Sequence, residues 1–329
     1  LEDCVQDDLA CNSGANNQTR FNGFIVSSQR VVALLVRAIK RLEERSSPVD
    51  ASSTHADATS VSDNAAVVEV LSLTRRFGTL TAVDQLSFSV AAGAIFGLLG
   101  TNGAGKSTTI KMLTTLLPPT SGTARVAGFD IIKEPEAVRH HIGYVAQMLS
   151  ADGELTGYEN LLISAKLYGI PRNERKARIV GALEFMELTG HADRLVSQYS
   201  GGMIRRLEIA QAMLHRPSIL FLDEPTVGLD PAAKHAVWQR IRLLREDFGT
   251  TVLMTTHDMD EADQLCEMVA FMHEGKLAAI GRPAELKNHL GPTANLDDVF
   301  IHHTGASVTA ERGDYKDVAR IRRTAKRLE

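Results

Sequence analysis

Residues 94–107 run Ala94-Ile95-Phe96-Gly97-Leu98-Leu99-Gly100-Thr101-Asn102-Gly103-Ala104-Gly105-Lys106-Ser107. The first six form an apolar run that stops at a glycine, the pattern of a strand buried on both faces. The next eight match G-x-x-x-x-G-K-[ST], and a helix is expected from about Lys106 to Leu116, ended by Pro118 and Pro119. Glycines let the backbone close around a phosphate with no Cβ in the way, and the amides of the loop and helix N-terminus point at the anion. Lys106 is placed to neutralise the β and γ phosphates of ATP. The Ser107 hydroxyl is placed to ligate Mg²⁺, with Thr108 beside it. A chance glycine loop would lack the flanking strand and helix.

A second apolar strand, Ile219-Leu220-Phe221-Leu222, ends in Asp223-Glu224-Pro225. An acidic pair after a strand is usually a helix cap. Beside a phosphate loop it reads as Asp223 holding Mg²⁺ and Glu224 orienting and deprotonating the attacking water. Short β runs alternate with helices from Val67 onward. Strands are expected at Val67–Leu71, Leu86–Val90, Ile142–Val145, Ser218–Leu222 and Thr251–Thr255, with a hairpin around Glu274-Gly275-Lys276. Helical patterns cover 157–190 with a break at Pro171, Gly202–His215 and Ala233–Phe248. This alternation argues for an α/β domain with a mainly parallel sheet.

Ser200-Gly201-Gly202-Met203, opening a helix just before the Asp223 strand, resembles the signature of the ABC transporter ATP-binding subunits. On that resemblance the fold is a P-loop NTPase ABC cassette over 66–305, with a mainly parallel sheet core, an antiparallel β subdomain and an α-helical subdomain at about 148–200. Ser200, Gly201 and Gly202 would cap the ATP held by a second subunit, so that a homodimer sandwiches two nucleotides. Further positions fit the family. Phe77 resembles the aromatic that stacks on adenine, although alone it would read as an ordinary turn or core residue. Gln147 resembles the loop glutamine that senses Mg²⁺ and couples to the membrane subunit. Asp230, in Val227-Gly228-Leu229-Asp230, resembles the loop bridging the two sites, and His257 the switch histidine near the γ phosphate. Tyr199, Gly202-Met203 and Leu296-Asp297-Asp298-Val299-Phe300 resemble the subgroup that energises ABC-2 type exporters, the daunorubicin-resistance ATPases among them. Met203 stands where the general signature has glutamine, and Ala146 where proline is common before the loop glutamine. Neither change removes a charged catalytic group.

Composition sets the remaining bounds. A net charge of −4 with 44% hydrophobic and 23% charged residues fits a globular protein and gives no general drive toward nucleic acid. Cys4, Cys11 and Cys266 form neither a disulfide framework nor a metal pair, and free thiols are expected. No apolar run reaches the roughly 18–20 residues needed to span a bilayer, and no secretory signal opens the chain. The expected location is cytoplasmic, peripheral on the membrane through a separate ABC-2 type permease. Residues 1–65 are polar and Ser/Ala/Asp/Thr-rich apart from an amphipathic segment at 28–45. A helix packed on protein is expected there ahead of one lying on anionic lipid. Residues 306–329 form a basic tail. Three functions compete. A single cassette, with under a hundred residues between phosphate loop and signature, favours an exporter ATPase over a non-transport ABC ATPase acting on ribosomes or DNA. A simple nucleotide kinase leaves Ser200-Gly201-Gly202 and His257 unexplained.

Overall fold

The computed structural model describes residues 66–305. The amphipathic segment at 28–45, the rest of 1–65 and the basic tail at 306–329 lie outside the described residues. Strands β1 (Ala66–Phe77) and β2 (Leu80–Ala91) form a long antiparallel hairpin, followed by β3 (Ile95–Leu99) and helix α1 (Lys106–Leu113). Next come β4 (Ser121–Val126), β5 (Phe129–Asp130), α2 (Pro135–His141), β6 (Ile142–Val145), α3 (Gly157–Leu167), α4 (Arg172–Phe185) and α5 (Gly201–Met213). The chain continues through β7 (Ile219–Asp223), α6 (Pro231–Phe248), β8 (Thr251–Thr256), α7 (Met259–Leu265), β9 (Met268–His273), β10 (Lys276–Gly281), α8 (Pro283–Leu290) and α9 (Leu296–Thr304).

The strands make two sheets. One is antiparallel, in the order β2-β1-β4-β5. The other, in the order β10-β9-β3-β8-β7-β6, is parallel except for the edge hairpin β9–β10. The expected α/β fold with a mainly parallel core and an antiparallel β part is therefore present. Successive side chains of a strand point to opposite faces, so a strand buried on both faces feeds two cores. Phe96 and Leu98 of β3, Ile219 and Phe221 of β7 and Leu253 of β8 pack with the antiparallel sheet and α1. Ile95, Leu99, Leu220, Leu222, Val252 and Met254 pack with α3 to α7 and α9. Phe88 of β2 stacks on Phe96 at 5.2 Å between ring centres, joining the two sheets.

Local chemistry explains most boundaries. Thr156 and Glu159 form a reciprocal capping box at the start of α3, and Asn295 and Asp298 form another at α9. Pro171 separates α3 from α4, as expected. The helical pattern read through residue 190 ends sooner: α4 stops at Phe185 and Glu187 takes a left-handed φ of 55°. Likewise α1 stops at Leu113 rather than Leu116, because Thr115 turns to φ 62° before the prolines are reached. Among the described residues no helix is long and apolar enough to cross a membrane.

Candidate nucleotide-binding site

The order of the parallel sheet brings the C-terminal ends of β3, β8 and β7 side by side, the edge at which α/β sheets bind ligands. β3 delivers the loop 100–105, β7 delivers Asp223 and Glu224, and β8 delivers Thr255 and, just past its end, His257. Between them lies a cleft of about 230 Å³ lined by Thr101 through Thr108 together with Ala82, Gln147 and Glu224. Gly105 makes the loop possible. It sits at φ 102°, and a Cβ there would meet the Ala82 carbonyl at 2.4 Å.

Lys106 is 5% exposed and aims its ammonium into the loop. Its Nζ donates to the carbonyls of Gly100 at 2.7 Å and Thr101 at 3.1 Å, and pairs with Glu224 Oε1 at 3.3 Å. The Ser107 hydroxyl donates to Asp223 Oδ1 at 3.0 Å, and the Thr255 hydroxyl donates to the same oxygen at 2.6 Å. Ser107 and Asp223 thus set a hydroxyl and a carboxylate oxygen together, and Ser107 and Gln147 both line the cleft. Such hard oxygen donors, few and beside a phosphate cradle, suit Mg²⁺, which keeps waters and phosphate oxygens in its shell.

Glu224 is buried and held at φ 51°, a left-handed conformation that costs a non-glycine residue on the order of 1–3 kcal/mol. Thr255 secures that turn. Its hydroxyl and its carbonyl both accept from the Glu224 N–H, at 3.0 and 3.1 Å. His257 Nδ1 lies 2.5 Å from Glu224 Oε2. Burial pushes the Glu224 carboxyl up, but the His257 hydrogen bond and the Lys106 charge outweigh it and hold the group below its ordinary value. The Glu224 hydrogen bond raises His257 above its ordinary value against the opposing effect of burial. The result is a carboxylate held in its ionised form between the Lys106 ammonium and the His257 imidazole, facing the phosphate cradle.

The other sequence-predicted residues are placed elsewhere. Phe77 ends β1, 45% exposed, with the Arg75 guanidinium 4.6 Å from its ring centre. Ser200 is the exposed N-cap of α5 and accepts from the Met203 N–H at 3.3 Å. Gly202 lies against α6, where a Cβ would come within 2.7 Å of the Ala233 Cβ. Asp230 caps α6 by accepting from the Ala233 N–H at 3.0 Å. Phe77, Ser200, Gly201, Gly202 and Asp230 do not line the cleft that Lys106 and Glu224 share.

Sequence reasoning missed two residues that shape the turn at Glu224 and the segment after it. Thr255 was read only as part of a strand, although a hydroxyl at the end of an all-buried strand was the available signal. Glu261 is the other: a buried carboxylate on α7 that accepts from the Thr226 hydroxyl at 2.7 Å and the Trp238 indole at 2.8 Å. It ties the segment after Glu224 to α6 and to the helix after His257. Burial raises its carboxyl above the ordinary value despite these bonds.

Known proteins agree with this geometry. The family described as ABC transporter matches residues 83–227. The chain is 44% identical over 245 residues to the daunorubicin/doxorubicin resistance ATP-binding protein DrrA of Streptomyces peucetius, covering 74% of this chain and 73% of that one. It is 43% identical over 223 residues to the Nod factor export ATP-binding protein I of Ralstonia nicotianae, covering 68% and 69%. Among solved structures, an ATP-binding subunit of an ABC transporter superposes with a TM-score of 0.64 at 29% identity, over 72% of this chain and 98% of that one. A dimeric ATP-binding cassette in a post-hydrolysis state with ADP and Pi superposes with a TM-score of 0.60 at 26% identity, over 65% and 98%. This chain is an ATP-binding, ATP-hydrolysing subunit of the ABC transporter family.

Proposed function

We propose that this chain is the ATPase of an ABC-2 type exporter. A homodimer of the chain, held at the cytoplasmic face of the membrane by a separate permease, drives efflux of drugs or other amphipathic compounds. The observation that carries the exporter reading is the 44% identity to a drug-resistance ATP-binding protein across most of both chains. A membrane partner is supported by a bare apolar side chain beside the site: Met148, next to Gln147, is 83% exposed.

In this mechanism the amides of residues 101–107 and the Lys106 ammonium hold the β and γ phosphates, while Phe77 offers its ring to adenine. Ser107, Asp223 and Gln147 would hold Mg²⁺, which would supply positive charge to offset that of the phosphates. Glu224, ionised and fixed by His257, accepts a hydrogen bond from the attacking water and takes its proton. Phosphoryl transfer needs mainly position and charge, and the locked Thr255–Glu224–His257 chain supplies both. Ser200, Gly201 and Gly202 of one subunit close on the nucleotide of the other, and the loop at Asp230 bridges the two sites.

The test is reconstitution with an ABC-2 type membrane protein, to be sought in the reading frame beside that of this chain. Inside-out vesicles carrying both are expected to accumulate daunorubicin when ATP is supplied, and ATP turnover is expected to rise over that of the chain alone. Turnover that ignores the membrane protein but rises with ribosomes or DNA would select the non-transport reading.

A further inference from the structure

Gln147 enters the cleft from an irregular loop that follows β6, and what holds this loop is α5. Arg205, 2% exposed, donates through Nη1 to the Ala146 carbonyl at 2.7 Å and through Nη2 to the Gln147 carbonyl at 2.8 Å. Nη1 also meets Glu208 Oε2 at 3.0 Å, one turn along the helix. The second Glu208 oxygen accepts from the Ser150 N–H, from the Ser150 hydroxyl at 3.2 Å and from the Ala151 N–H at 3.4 Å. One buried ion pair therefore grips the loop on both sides of Met148–Leu149. The same helix begins at Ser200-Gly201-Gly202.

Packing alone would not select this arrangement. Two charges in so dry a position cost desolvation, and apolar side chains of similar shape usually fill such a site at least as stably. A planar guanidinium does what those cannot, and what lysine cannot: it holds two adjacent carbonyls in a fixed fork. Glu208 then supplies the acceptor that orders the far side of the loop. The groups being held are backbone groups, and one of them belongs to Gln147, which lines the cleft.

We propose that Arg205 and Glu208 are positioning residues that set Gln147 in the cleft and bind its loop to the Ser200 helix, so that loop and helix move as one body. Gln147 responds to the nucleotide of its own subunit, and Ser200 closes on that of the other. The pair therefore transmits occupancy of one site to the cap of the second. This rests on the reading of Gln147 as a group acting on the bound nucleotide.

The test is a double-mutant cycle on ATP turnover in the full chain, with Gln147→Ala and Arg205→Lys. Arg205→Lys keeps a positive charge beside Glu208 and loses the fork. Each single change is expected to lower kcat about tenfold, and the double variant to fall no more than about twofold further, since residues that act through one another are not additive. The Mg²⁺ concentration for half-maximal turnover should shift alike in both singles, while Kd for ATP in EDTA stays within about twofold. A merely structural loss would multiply with Gln147→Ala. Multiplying effects, or an undiminished kcat in folded Arg205→Lys, would overturn the proposal alone. Wild-type turnover in Gln147→Ala would overturn the reading of Gln147, and the proposal with it. Should Arg205→Lys fail to fold, Arg205→Met with Glu208→Leu strands no charge and takes its place in the cycle under the same criteria.

Discussion

Replacing Glu224 by Gln separates binding from hydrolysis. The substitution keeps shape and removes charge, and in this site the charge has two effects of opposite sign. On the proposed mechanism the carboxylate accepts the proton of the attacking water. It also occupies Lys106, 3.3 Å away, in competition with phosphate. At an effective dielectric of about 20 a pair at that distance is worth roughly 5 kcal/mol gross. Desolvation of both groups offsets most of this. Lys106 also keeps the Gly100 and Thr101 carbonyls whatever stands at position 224. A net gain of about 1 kcal/mol for ATP is the reasonable residue, or about fivefold in Kd. Loss of the base should slow turnover by about 10² to 10⁴, which is about 3–5 kcal/mol on the barrier.

Glu224→Gln is thus expected to bind ATP slightly more tightly than wild type while barely hydrolysing it. ATP should therefore persist between Lys106 of one subunit and Ser200-Gly201-Gly202 of the other. Light scattering with Mg-ATP should register a dimer that wild type forms only transiently, and a bulky charged residue at Ser200 should abolish it. Turnover within a few-fold of wild type would refute the assignment of the base. Weaker ATP binding would refute the competition for Lys106. A variant that binds ATP yet stays monomeric, with and without the permease, would refute the sandwich.

Lys106→Ala removes the ammonium that the loop is built to aim, and kcat should fall by at least about 10², since even one preorganised donor is worth about that much; near-normal turnover would move the phosphate site elsewhere. The His257–Glu224 pair predicts a pH window for stability. His257 is raised, so its contribution is complete below the unfolded value of about 6.5 and fades as pH rises through the higher folded value. Glu224 is lowered, so its contribution is present above about 4.3 and fades as pH falls through the lower folded value. Thermal melts of wild type minus His257→Ala should therefore differ most between about pH 4.5 and 6.5, and a pH-independent difference would refute the pairing. Glu261→Ala leaves the Thr226 hydroxyl and the Trp238 indole without their acceptor and should cost about 2 kcal/mol or more. Trp238 is the sole tryptophan, so denaturation followed by its fluorescence reads the loss directly, and an unchanged midpoint would refute it.

What was legible in the sequence was what is local. The phosphate loop and the acidic strand each carry their chemistry within eight residues, and strands such as β7 and β8 are buried along their whole length. The antiparallel sheet was only partly legible, for a geometric reason. Val67–Leu71 and Leu86–Val90 were read as separate short strands, yet β1 and β2 run 12 residues each. The inward residues are Val68, Val70 and then Leu73 on β1, and Val83 and then Leu86, Phe88 and Val90 on β2. At Ser72 and Gln85 the backbone takes positive φ and the pairing register shifts, so the period-2 alternation changes phase where a sequence window would end the strand. β5, two residues long, carries no period at all. Arg205 and Glu208 fall inside the helical pattern at Gly202–His215 and carry no local signal of their role, since the loop they hold lies 58 and 59 positions away in sequence.

The sheet order explains why Thr255 matters as much as the motif residues around it. β3 and β7 are not neighbours, because β8 lies between them. Adjacent strands are about 4.8 Å apart, so the phosphate loop and the acidic pair leave the sheet roughly 10 Å from each other. Ser107, in the first turn of α1, nevertheless reaches Asp223. Thr255, fully buried near the end of β8, meets both acidic residues with its hydroxyl. A side chain larger than threonine finds no free space there and would displace its neighbours. An apolar one of the same size would leave the buried Glu224 N–H with the Thr255 carbonyl alone, and Asp223 without its shorter hydroxyl bond. Threonine donates to one acidic residue and accepts from the next, so a single small side chain fixes both the Asp223 oxygen and the left-handed turn that presents Glu224. His257, two residues on and just past the end of the same strand, then meets Glu224. The acidic pair and the histidine are thus aligned by one strand crossing between two others, and their geometry is a property of the sheet before any nucleotide arrives.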